Sequence, residues 1–184
     1  GYTGGLWWAL IGMFIVTMAT TEENHARTGA MLAGLRARDI MTPNPDTTTP
    51  DQNVAQFLQD VALTRRHSAF PLLGPAGDVV GLVTINRIRQ LPRERHGQAT
   101  LADIACPLDE VPIARPDELV SDVLVRLSGC ADGRALVMDN GRLVGIISPT
   151  DISRAISLRG LGVESFSGAD LTHSYDRPPV DPNR

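Results

Sequence analysis

Val54, Phe57, Leu58 and Val61 fall at i, i+3, i+4 and i+7, the spacing of one helix face. Pro50-Asp51 just upstream reads as the helix start, and Thr47 to Thr49 before it as a short β-branched strand. Apolar strands then follow at Ala69 to Leu73 and at Val79 to Val83, around the turn Gly74-Pro75-Ala76-Gly77. A helix from Thr84 to about Gln90 closes the unit. The same order returns downstream: a strand at Val111 to Ile113, then a helix from Asp117 to Ser128. A hairpin follows, Ala135 to Met138 and Leu143 to Ile147, turning at Asp139-Asn140-Gly141, and a helix runs from Pro149 to about Leu158. Each unit therefore reads as β-α-β-β-α.

The similarity extends to residues. Ala37-Arg38-Asp39-Ile40 is matched by Leu101-Ala102-Asp103-Ile104 at an offset of 64, and Pro50 to Val54 by Pro116 to Val120 at 66. Pro71-Leu72-Leu73 through Val80 to Thr84 matches Ala135-Leu136-Val137 through Val144 to Ser148 at 64. Three blocks in one order mark an internal duplication. One unit of roughly 55–60 residues buries too little surface to be comfortably stable. Two copies sharing a core are expected, as a pseudo-two-fold α/β pair.

Leu6 to Met18 is nearly all apolar, with Trp7 and Trp8 suited to a membrane interface. Thirteen helical residues cover only about 20 Å, less than a full span. The stretch is therefore expected to be the trailing part of a transmembrane helix, residues 4–20, followed by a linker helix over 21–36. Arg27, Arg36 and Arg38 beyond it place the remainder in the cytoplasm by the positive-inside tendency. The expected organisation continues with repeat 1 at 37–91, a linker at 92–100, repeat 2 at 101–158 and a disordered tail at 163–184, which holds Ser, Gly, Asp and Pro with little periodicity.

A net charge of −4 argues against nucleic-acid binding. His25, His67, His96 and His173 form no metal-ligand spacing and no HExxH, and no nucleophile–base pair or phosphate-cradling glycine loop is present. The chain is thus expected to hold no catalytic centre and no metal of its own. Cys106 and Cys130, lacking CxxC spacing, read as two thiols in a reducing compartment.

The second unit carries Gly145-Ile146-Ile147-Ser148-Pro149-Thr150-Asp151 where its last strand meets its last helix. The first carries Gly81-Leu82-Val83-Thr84-Ile85-Asn86-Arg87 at the same place. With the duplication, this pattern resembles a tandem of cystathionine β-synthase (CBS) domains, over about Ala37 to Leu158. In that family the cleft between repeats binds adenosyl nucleotides such as AMP, ADP, ATP or S-adenosylmethionine. The resemblance assigns ribose to Asp151, whose carboxylate can accept from two hydroxyls. It assigns a phosphate to the hydroxyls of Ser148 and Thr150, and adenine to Ile146. The first repeat would contribute the segment of Ile40, Met41 and Pro43, with His67 and Ser68, while Arg134 would supply a basic phosphate contact to either site. The same four residues, Ser148 to Asp151, are also a helix start with a capping box. In the other cleft Arg87 replaces the carboxylate, so that site is expected to be degenerate, either empty or holding phosphate through Arg87 and Thr84.

Gly4 to Gly12, followed by Glu22-Glu23, resembles the end of the membrane core of bacterial site-2 protease family zinc metallopeptidases. In one branch of that family a CBS pair follows the last membrane helix. The resemblance implies a regulatory module at the cytoplasmic face of the cell membrane, a homodimer, controlling a zinc protease whose metal ligands lie upstream. Two rivals remain: a ligand-free dimerisation module, and the regulatory domain of a channel or transporter.

Overall fold

A computed structural model of the protein describes residues 32–62 and 67–162. The apolar N-terminal stretch, most of the expected linker helix and the 163–184 tail lie outside them. Among the described residues no helix is long and apolar enough to cross a membrane.

Helix α1 (Ala37–Ile40) and strand β1 (Thr42–Pro43) lead the first repeat, followed by α2 (Val54–Phe57), which runs on as a π-helical turn over Leu58–Ala62. Strands β2 (Ala69–Leu73) and β3 (Val79–Thr84) and helix α3 (Ile85–Gln90) complete it. The second repeat has α4 (Leu101–Ile104), β4 (Cys106–Pro107), β5 (Ile113–Ala114), α5 (Val120–Leu124), β6 (Ala135–Asp139), β7 (Arg142–Ile147) and α6 (Pro149–Gly160). The hairpins stand where alternation and turn residues place them. Asn140 (φ 47°) and Gly141 (φ 78°) form a two-residue loop with both φ positive, which suits the right-handed twist of β6 and β7.

Several expected boundaries move. Thr47 to Thr49 forms no strand; only Thr48 makes a bridge, to Leu72. The first long helix starts at Asn53 rather than Pro50, because the Asn53 side chain accepts from the Ala55 N–H at 2.9 Å. The helix expected over 117–128 shrinks to Val120–Leu124, since backbone turns at Arg126 and Leu127 and a left-handed Gly129 (φ 84°) break it. The 64-residue offset of the first hairpin strands is also one short. Leu72 lies opposite Gly81 and Val137 opposite Gly145, so 65 is the structural offset there.

The sheets are exchanged between repeats. One runs β1-β7-β6-β5 and the other β2-β3-β4, so each repeat lends its first strand to the other's sheet. The leading helices follow them. Ala37 N donates to Glu118 O and Val120 N to Leu35 O, while Leu101 N donates to Gln52 O and Val54 N to Ala99 O. The recurring Asp of the first sequence block now has a reason: Asp39 Oδ2 accepts from Arg36 N and Asp103 Oδ2 from Thr100 N, each at 2.8 Å, satisfying helix N-termini. The Thr100 backbone N–H, then its hydroxyl, hold the Asp103 carboxyl below its ordinary value.

Three buried clusters result. One fills the first repeat around Phe57, Phe70 and Val83, and one fills the second around Val120, Val137 and Ile147 and also buries Leu32 and Leu35. A third lies between the sheets, joining Ala69, Leu82 and Cys106 to Val111, Leu136 and Ile146, and makes the pair share one core. Cys106 and Cys130 correct the sequence expectation: they are joined as a disulfide, Cα atoms 5.3 Å apart. The exchanged strands bring together two residues that sequence spacing leaves unrelated.

The exchange explains the glycine of the repeated motif. A Cβ on Gly81 would lie 2.8 Å from the Cys106 carbonyl oxygen of β4, and one on Gly145 would meet the Met41 side chain and, at 3.1 Å, the Thr42 carbonyl of β1. The Gly81 neighbour is fixed backbone and the nearest Gly145 neighbour is a flexible thioether. Gly81→Ala is expected to cost about 1–3 kcal/mol by forcing β4 away, and Gly145→Ala less. Urea unfolding of both variants checks the order, and equal losses would contradict it.

Candidate functional site

Strand β1 lies antiparallel to β7, with Thr42 opposite Ile146 and Pro43 opposite Gly145. This pairing gathers Met41, Pro43 and Ile146 at the start of α6, where Ser148 is the N-cap and Pro149 the first helical residue. Asp151 Oδ2 accepts from Ser148 N (2.8 Å) and from the Ser148 hydroxyl, forming the capping box. Asp151 Oδ1 accepts from the Thr42 hydroxyl at 3.1 Å. The carboxylate thus caps its own helix with one oxygen and fastens the other repeat with the second.

Thr42 escapes a sequence reading that names its neighbours Met41 and Pro43. A hydroxyl two residues after a short helix carries no local signal, and only the strand exchange presents it to Asp151. Thr150 is exposed at the second helical position.

The remaining expected residues form a group around the turn before β6. Arg134 Nη2 donates to Ser68 Oγ (2.9 Å) and Nη1 to Asp132 O (3.0 Å), while its Nε is buried without a hydrogen-bond partner. Partial burial pulls the Arg134 guanidinium below its ordinary value, and the charges of Asp132 and Asp151 push it back. A Cβ on Gly133 would lie 3.5 Å from the Pro149 ring, so this turn abuts the start of α6. The His67 ring, next to Ser68 along the chain, stands 3.5 Å from the Asp46 carboxylate.

The related cleft is filled by its own side chains. Arg87 donates from Nε to Ile104 O and from Nη2 to Ala105 O (3.3 Å), satisfying carbonyls at the end of α4. Thr84, fully buried, donates to Asp132 Oδ2 and caps α3 by accepting from Arg87 N (3.2 Å). Asn86 Nδ2 donates to Asp132 Oδ1 (3.1 Å). A phosphate taking the Arg87 Nε and the Thr84 hydroxyl would have to displace their bonds to Ile104 O and Asp132. Asp132 and Asn86 are participants that the sequence reading missed. Asp132 is left-handed (φ 52°) in an Asp-Gly turn, a turn signal and not a site signal.

A family model described as the CBS domain matches twice, at residues 37–94 and 101–158. Rip3 of Mycobacterium tuberculosis, which carries the provisional name of a zinc metalloprotease, is 38% identical over 159 residues. That match covers 86% of this chain and 40% of Rip3, so the chain spans about two fifths of the relative's length. Among solved structures, the CBS domain pair of protein MJ0100, in complex with 5-methylthioadenosine and S-adenosyl-L-methionine, superposes with a TM-score of 0.59 at 23% identity. It covers 68% of this chain and 98% of that one. CBSX2 in complex with AMP gives 0.56 at 20% identity, covering 69% and 99%. At these identities the two structures establish the fold.

Proposed function

The chain belongs to the CBS-domain family as a tandem pair, and we propose that it senses an adenosyl nucleotide at Asp151 and thereby controls an attached membrane protease of the site-2 zinc type. The hydrogen bond from Thr42 to Asp151, made across the two repeats, carries this reading. A carboxylate offers about four lone pairs, and three hydrogen bonds to Asp151 are already made. Two ribose hydroxyls need two acceptor positions, so binding must release one of these donors, and we assign that release to Thr42, the one donor from the other repeat. Arg134 and Ser68, with the hydroxyls of Ser148 and Thr150, suit the phosphate or other polar end of the ligand. Met41 and Pro43, partly exposed, offer apolar surface to the base, whereas the Ile146 side chain is buried in the core between the sheets.

Release of Thr42 frees β1 from its side-chain tie to α6. Strand β1 continues back through α1 to Leu35 and Leu32, both buried in the second repeat's core. Arg38 pairs with Asp117, and Arg36 Nη1 donates to Asp117 O, on the same docking face. A ligand that favours the released state shifts this docked segment, which leads toward the proposed membrane helix. The module would stand on the cytoplasmic side of the cell membrane, as a homodimer. The zinc of the protease would be held outside this chain.

The test is a thermal-shift and calorimetry series on the chain with AMP, ADP, ATP and S-adenosylmethionine. A ligand at 100 times its Kd adds about 2.7 kcal/mol, and the melting temperature should rise by roughly 5–10 °C. No shift with any of the four, on folded protein, leaves Asp151 a helix cap and the pair an assembly module.

A further inference from the structure

We propose that Cys106 and Cys130 are a reversible redox site whose bond holds the Arg87 cleft shut, independently of any nucleotide at Asp151. The disulfide flanks that cleft from both sides. Cys106 directly follows Ile104 and Ala105, whose carbonyls hold Arg87. Cys130 lies two residues before Asp132, whose carboxylate holds Thr84 and Asn86. Cys106 sits on β4, the two-residue strand lent to the first repeat's sheet, and Cys130 on the turn Gly129–Ala131 leading into the second repeat's sheet. The bond therefore staples the first repeat's sheet to the turn that precedes β6.

The two clefts are fastened by different chemistry. The structural counterpart of Cys106 is Thr42, each two residues beyond the last residue of a leading helix. Thr42 makes a hydrogen bond that a hydroxyl-rich ligand can replace. Cys106 makes a covalent bond that only a reductant can open. Access is one-sided as well, because Cys106 is fully buried whereas Cys130 is partly exposed, with Glu110 Oε2 3.3 Å from its sulfur. In a reducing compartment such bonds are transient and regulatory.

Cys130 is therefore the sulfur through which exchange begins. On oxidation its thiolate attacks one sulfur of a small-molecule disulfide such as oxidised glutathione. The reagent's S–S bond breaks, one thiolate leaves and takes up a proton, and a mixed disulfide remains on Cys130. The Cys106 thiolate then attacks Cys130 Sγ and expels the second thiol. Two protein thiols have lost two electrons and two protons, and the oxidant has become two thiols. A dithiol reductant reverses both steps, attacking Cys130 first. Once reduced, β4 keeps its two ladder pairs with β3, and the turn keeps its backbone bonds, the Asp132 contacts and the burial of Ala131.

The experiment equilibrates the full chain in glutathione buffers of graded poise with a chelator present, then alkylates and weighs it. Amide hydrogen exchange compares the oxidised and reduced ends. The two thiols should disappear together, without a lasting glutathione adduct, and reappear together with a dithiol. Reduction should speed exchange at least tenfold around 105–107 and 130–134 while 146–151 stays unchanged. Cys130→Ser should show the reduced pattern in every buffer. Thiols that stay alkylatable at every poise, a bond that no dithiol opens in the folded chain, or identical exchange in both states would each overturn the proposal. These readouts need no nucleotide, so their failure is separate from failure at Asp151.

Discussion

Phe57→Ala is expected to lower the stability of the chain by about 3–5 kcal/mol, the usual loss when a fully buried phenylalanine becomes a cavity. Phe57 closes α2 and packs edge-on against Phe70 of β2, ring centroids 5.0 Å apart and planes at 83°. Both are fully buried, in the cluster that joins the first repeat's helix to its sheet. The loss combines lost apolar burial with an aromatic pair worth about 0.5–1.5 kcal/mol. Urea unfolding should show a lower midpoint with an unchanged slope. Because the third cluster belongs to both repeats, the variant should still unfold in one transition rather than shed its first repeat. A loss under about 1.5 kcal/mol, or two resolved transitions, would contradict this account of the core. A double-mutant cycle with Phe70→Leu isolates the ring–ring contribution.

Asp151→Ala is expected to weaken whichever adenosyl ligand binds by about 100-fold or more, since two hydrogen bonds to a charged acceptor are each worth about 1.5–3 kcal/mol. The same substitution removes a capping-box carboxylate and should cost about 1 kcal/mol of stability. Asp151→Asn separates the roles. Its amide oxygen can still accept from Ser148 N, so the helix start survives, whereas the charge and the second acceptor are gone. Calorimetry on both variants should find affinity lost in each and stability lost chiefly in Ala. If Asn binds as well as the parent chain, the carboxylate does not read ribose. Thr42→Val gives the opposite sign: with the competing hydroxyl removed, nucleotide should bind tighter than to the parent chain.

Local chemistry made much of this molecule legible in its sequence. Alternating apolar residues and Asn140-Gly141 specify the hairpins, because strand period and positive-φ turns are properties of neighbouring residues. Thr84 and Ser148 cap the helices that follow them, since a hydroxyl reaches a backbone N–H three residues on without outside help. The duplication carried the two-repeat architecture with it, each copy lacking enough core to stand alone. What the sequence did not carry is whatever depends on the other repeat. Strands β1 and β4 are two residues long, with no periodicity to detect, and exist because a distant sheet edge accepts them. The start of α5 at Val120 likewise follows from a hydrogen bond to Leu35 rather than from a capping side chain. The Thr42–Asp151 bond, Arg87 on the α4 carbonyls and the Cys106–Cys130 bond all join residues 17 to 109 positions apart. Propensity and capping act over a few residues, whereas these partners meet only after the strands have crossed, so tertiary structure alone decided the contacts that make the two clefts different.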